Sequence, residues 1–176
     1  MGFESFQVRW NPSRSTANEI DSHLRSLAEI TNDVDALRVG DSRYYLWNDG
    51  RHVVEIEWSD SSASLSARFM LCNPESITDA YAEFLLQLQR RFGGGLAICD
   101  ARPSDRSREF GPGESNEFRD TLRESIAARR AEWVRDFGPR TLAANSRDVY
   151  REIILPKCEP VFANRDLHSL TTDPDS

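Results

Sequence analysis

The sequence predicts an α+β fold: a mostly antiparallel sheet with two helices packed on one face, in the order β-α-β-β-β-α-β, followed by two C-terminal helices. Three observations lead there. Period-two alternation of apolar and polar residues recurs through residue 71, Asn48-Asp49-Gly50 joins two β-rich runs, and two helical stripes are set between strand-like segments.

The first strand is FESFQVRW. Phe6, Val8 and Trp10 alternate with Ser5, Gln7 and Arg9, the pattern of a half-buried strand, and Asn11-Pro12-Ser13 ends it. Thr16 and Glu19 have the spacing of a capping box, in which hydroxyl and carboxylate satisfy each other's orphan amides. Ile20, Leu24, Leu27 and Ala28 then recur at helical spacing, with His23 and Arg25 off the stripe. Three strands should follow. Asp49-Gly50 favours the positive φ of a hairpin turn. Beyond it Val54, Ile56 and Trp58 share one face, and Val53, Glu55 and Glu57 the other. After a turn at Ser59 to Ser62, Leu65, Ala67, Phe69 and Leu71 oppose Ser64, Ser66, Arg68 and Met70. One face of this meander is apolar and one mainly polar.

Asn73 suits an N-cap, Pro74 a first helical position and Glu75 the positive helix end. Ile77, Tyr81, Phe84, Leu85, Leu88 and Phe92 form the stripe of the second helix, and Arg90 and Arg91 fall in its last turn. Gly93-Gly94-Gly95 comes next. A phosphate loop needs its glycines after a strand and before a helix; here the order is helix, glycines, strand, and no Walker lysine follows. The triplet is therefore expected to stop a helix. Leu96 to Cys99 lacks polar alternation, so a central strand covered on both faces is expected. A long polar loop runs from Asp100 to Gly113. Ser115 is placed to cap a helix carrying Phe118, Leu122, Ile126, Trp133 or Val134, and Phe137, with alternating charges opposite, and Gly138-Pro139 ends it. A last helix is expected from about residue 145 to 155, before Pro156.

The order of the first seven elements resembles the ferredoxin-like split β-α-β layout with an added strand, as an analogy of order alone. The 176 residues suit one domain, with 1–163 as the α+β unit, 101–163 as its helical extension and 164–176 as a flexible tail. No apolar run approaches the roughly 20 residues that span a bilayer, and MGFESFQVRW lacks the basic and apolar regions of a signal peptide, so a cytoplasmic location and no membrane partner are expected. The net charge of −7 repels a phosphate backbone and disfavours nucleic acid. Lys157 is the only lysine, a bias that reads as compositional. Cys72, Cys99 and Cys158 lie far apart, as do His23, His52 and His168, so neither a metal nor another cofactor is expected; His52, after the hairpin turn, reads as a surface residue.

Three places are candidates for function. Asp100, at a strand end with Arg102, Asp105 and Arg106 close behind, has the groups for anion binding or for a small enzyme's site. Cys72, just before a helix N-terminus, is where a thiol becomes reactive. The polar sheet face should project Gln7, Arg9, Glu55, Glu57 and Arg68 together as a platform for a protein partner. Each has a plainer reading: solvated ion pairs in the loop, an inert thiol at the core edge, or charges satisfied beneath the C-terminal helices. Tyr44, Tyr45 and Trp47 read as hairpin packing rather than base-stacking groups. The sequence holds no compact catalytic constellation, so the expectation is a binding or regulatory module rather than an enzyme. A homodimer through the Trp133 helix is a further expectation.

Overall fold

Alternation in the first strand sets the sidedness of the whole sheet. In the computed structural model, β1 spans Ser5–Asn11, with Phe6, Val8 and Trp10 fully buried and Arg9 exposed. The structure describes residues 5–28, 30, 37–39, 41–49, 52–71, 73–100 and 108–138. Helix α1 (Ala17–Ser26) follows, then β2 (Leu37–Val39), β3 (Ser42–Asn48), β4 (Val53–Ser59) and β5 (Ser64–Met70). Helix α2 (Ile77–Phe92), β6 (Gly95–Ile98), β7 (Glu109–Phe110), a 3₁₀ turn at Pro112–Glu114 and helix α3 (Ser115–Phe137) complete the described elements.

The seven strands form one sheet in the order β2-β3-β4-β5-β1-β6-β7, every pair antiparallel. The α+β class and the expected order hold, with two short strands added. β2 and β7 have three and two residues, too few for alternation to show. β5 and β6 both pair antiparallel to β1, one on each side, so they run parallel to each other and α2 connects them across β1. That is the split β-α-β arrangement. Helices α1 and α2 lie on the face of Phe6, Ile56, Phe69 and Leu96.

The expected capping box of α1 is present. Thr16 Oγ1 accepts the Glu19 N–H at 3.3 Å, and Glu19 Oε2 accepts the Thr16 N–H at 2.8 Å. Those hydrogen bonds from Thr16 hold the Glu19 carboxyl below its ordinary pKa. Ile20 and Leu24 point into the core, and the exposed side carries the Asp21–Arg25 pair.

Helix α2 starts later than its sequence suggests. Asn73 does not cap it; its side chain accepts the Val53 N–H at 2.9 Å and donates to the carbonyls of Met70 and Val53, tying β4 to the end of β5. With that amide committed, Pro74 and Glu75 form a turn and Ser76 becomes the N-cap residue. At its other end α2 stops at Gly93, at φ +69°, whose N–H donates to Gln89 O at 2.7 Å. Gly94 follows at φ +91°, where a Cβ would lie 1.9 Å from Asn11 O. Two glycines in succession thus turn the chain and let it pass against β1. Trp10 Nε1 donates to Gly93 O, and Gln89 Nε2 donates to Gly94 O and Phe110 O, so the turn's carbonyls are satisfied by side chains.

Strand β6 departs from expectation. Leu96 and Ile98 are buried, while Gly95, Ala97 and Cys99 are only partly so; β6 is second from the edge and covered on one face. A four-residue apolar run does not distinguish these cases. Helix α3 packs along α2 rather than over the polar sheet face, through Phe118, Leu122, Ile126 and Trp133. Arg130 falls on the same stripe and is buried, donating to Asn73 O at 2.8 Å and Pro74 O at 3.3 Å. Its Nη2 thus reaches the carbonyls ahead of α2, a contact that alternation of charges along α3 did not reveal. Ser115 does not cap α3: Glu114 is the N-cap residue, and its carboxylate accepts the Gly111 N–H at 2.7 Å. Trp133 is buried in the chain's own core, leaving Phe137 as the exposed large apolar side chain among the described residues. The expected helix near 145–155, the boundary at 163 and the tail from 164 lie outside the described residues.

Gly94→Ala should be among the most damaging single-methyl changes in the chain. Its Cβ meets backbone rather than a movable side chain, and the φ is unfavourable for any L-residue. We expect a loss of more than about 1 kcal/mol in a urea titration, whereas Gly113→Ala, with open space around it, should leave the midpoint nearly unchanged.

Candidate functional site

The strand register brings the five polar-face candidates together. Leu46, Glu55, Arg68 and Gln7 are successive cross-strand neighbours in one row. Tyr44, Glu57, Ser66, Arg9 and Ala97 form the adjacent row. None of α1, α2 and α3 covers these rows, because each contributes its buried residues to the core on the opposite side.

Within the rows the charges are partly neutralised. Arg68 pairs with Glu55, the two side chains 49% and 26% exposed. Gln7 Nε2 donates to Ser66 Oγ at 2.6 Å. Glu57 Oε1 accepts the hydroxyls of Ser42 at 2.9 Å and Tyr44 at 3.0 Å. Burial, with the Glu57 carboxylate beside it, holds the Tyr44 phenol above its ordinary pKa. Arg9 is exposed and makes no ion pair among the described residues. Toward β3 the surface changes character, since Leu46 and Val53 lie on this side and are each 6% exposed. The charged area therefore centres on β1, β4 and β5.

Asp100 has a structural engagement. Its Oδ2 accepts the Gln7 N–H at 2.7 Å, and beside it the Cys99 N–H donates to Gln7 O at 3.0 Å, so the carboxylate extends the β1–β6 ladder by one more bond. Burial raises the pKa of the Cys99 thiol, which suits an inert side chain. Cys72, Arg102, Asp105 and Arg106 lie outside the described residues. Among the described residues no group of three His, Cys, Asp or Glu side chains is placed to hold a metal ion, and no helix is long and apolar enough to cross a membrane.

One arrangement was not anticipated. His52 is buried rather than on the surface, at 6% exposure, with its ring stacked on Trp47 at 6.3 Å and 7°. Asp49 Oδ1 accepts the His52 N–H at 2.7 Å, and Asp49 Oδ2 lies 2.7 Å from His52 Nδ1. On the other side of the ring, Nε2 lies 2.8 Å from Ser76 Oγ. An ionised carboxylate only accepts, so the Nδ1 position carries the proton, and a neutral ring then accepts the Ser76 hydroxyl proton at Nε2. The Asp49-to-His52 spacing is a local turn signal, but Ser76 is 24 residues further on, and only the seating of α2 against the hairpin brings it there.

If Asp100 is a ladder-extending group, Asp100→Ala should lose about 1–2 kcal/mol in urea unfolding and Asp100→Asn, which keeps an acceptor oxygen, distinctly less. No family model matches the chain, and neither a curated protein nor a solved structure resembles it closely enough to place it in a family.

Proposed function

We propose that this protein is a binding or regulatory module whose polar sheet face docks a protein partner without carrying out chemistry on that face. The observation that carries the reading is Arg9, an exposed guanidinium with no ion-pair partner among the described residues, set between Ser66 and Ala97 in the middle of the sheet. A surface that served only solubility would favour paired or scattered charges, as on the outer side of α3, where Arg129–Glu132 and Arg123–Asp120 lie at 3.2 and 3.3 Å. The platform is rigid because every row is held on both sides by ladder bonds. It offers a bidentate donor at Arg9 and a carboxylate at Glu57, so the partner it suits presents an acidic side chain opposite Arg9 and donors opposite Glu57. The phosphate backbone of nucleic acid is disfavoured by Glu55 and Glu57 and by the net charge of −7.

The test is quantitative capture by wild-type and Arg9→Glu chains from the source cell, repeated over a salt series. A protein retained by the wild type should bind the variant about tenfold or more weakly, and the difference should shrink with salt, as expected of an interfacial charge. Equal retention by both chains at every salt concentration overturns the reading. Since Arg9 is exposed, the substitution should leave the unfolding midpoint unchanged, which separates loss of docking from loss of fold.

A further inference from the structure

We propose that Asp49, His52 and Ser76 form a nucleophilic site able to hydrolyse carboxylic esters, an activity beyond docking on the polar face. The three side chains stand in the order carboxylate, imidazole, hydroxyl, with separations of 2.7 and 2.8 Å. Both are within the hydrogen-bond reach a nucleophile, its base and the group orienting that base require. The order and the distances, rather than any sequence motif, carry the inference, since such constellations recur on unrelated folds.

Orientation is enforced from several directions. The imidazole is buried, it stacks on Trp47, and Trp47 in turn stacks on Phe84 of α2 at 6.0 Å. Asp49 grips the same residue twice, through its ring nitrogen and its backbone N–H. Ser76, by contrast, is exposed, so its hydroxyl is reachable. It sits at the N-terminal end of α2, where the helix dipole favours developing negative charge. The Ser76 N–H has no backbone acceptor among the described residues and remains available as a donor to an oxyanion formed at the adjacent carbon.

The reaction the geometry supports is acyl transfer through Ser76. Its oxygen attacks the ester carbonyl carbon while its proton passes to His52 Nε2. The C–O bond to the alcohol breaks, and the leaving oxygen takes that proton from Nε2. Water then adds to the acyl carbon, gives one proton to His52, and releases the carboxylic acid as Ser76 recovers its hydrogen. The sum is ester plus water giving acid plus alcohol. Asp49 is a positioning residue that holds the ring and its tautomer. Exposed Glu75 next to Ser76, together with Asp49, disfavours anionic acyl groups and selects small neutral or cationic esters.

Two measurements on the full chain decide the matter. Incubation with a fluorophosphonate probe should place one phosphonyl group on Ser76, located by peptide mass spectrometry. Hydrolysis of p-nitrophenyl acetate should fall at least about a hundredfold in Ser76→Ala and in Asp49→Asn, with KM for the Asn variant little changed. If the folded wild type is left unlabelled at Ser76, or hydrolyses the ester no faster than Ser76→Ala, the proposal fails. The labelling result does not depend on any variant folding, and circular dichroism of Asp49→Asn separates a lost tautomer from a lost hairpin.

Discussion

The phenol of Tyr81 is the contact on which the arrangement of helix and sheet turns. Its oxygen accepts the Val8 N–H at 3.1 Å and its proton goes to Ala67 O at 2.6 Å, so a single fully buried group on α2 grips β1 and β5 at the point where Val8 and Ala67 face each other. Burial raises its pKa well above the ordinary value, so it stays a neutral donor. A donor and an acceptor buried in apolar surroundings must both be answered, and this geometry answers them with one hydroxyl. The ring itself packs edge-on against Phe69 at 5.0 Å. Helix position, strand pairing and core packing are thereby set by the same side chain.

That anchoring gives the two faces of the sheet their separate roles. With α2 held over β1 and β5, α1 fills the space beside it, and α3 packs on α2 rather than around the sheet. The opposite face keeps its charges toward solvent. The same anchoring sets the start of α2 against the β3–β4 hairpin, where Asn73 ties β4 to β5 and Arg130 satisfies the carbonyls of residues 73 and 74. The hairpin histidine and the serine at the N-cap position of α2 meet as a by-product of how the core is built.

Periodicity exposed what is periodic. Phe6, Val8 and Trp10, the run from Val54 to Leu71 and the stripe from Ile77 to Phe92 each repeat often enough for their buried side to be read directly, and the capping box at Thr16 and the glycine stop at Gly93 are local chemistry with one dominant outcome. Gln7, Arg9, Glu55, Glu57 and Arg68 follow from the same alternation, which is why their common face was legible. Asn73 was misread because an N-cap preference is a local tendency, whereas the Val53 amide it serves comes from another strand. His52 was misread for the same reason, and the burial of Arg130 went unseen among the alternating charges of α3: whether a polar side chain is buried depends on partners brought in by tertiary structure. β7 rests on the two residues Glu109 and Phe110, and no window that short carries a period.

The central place of β1 has a kinetic consequence. Both neighbours of the strand lie far along the chain from it: Val8 meets Ala67 on one side and Ile98 on the other. Pairing of the sheet's middle therefore closes long loops on both sides of β1, which makes nucleation entropically expensive. This topology belongs with the slower-folding mixed domains, and during that interval the apolar side of β1 is exposed to any other strand it can meet.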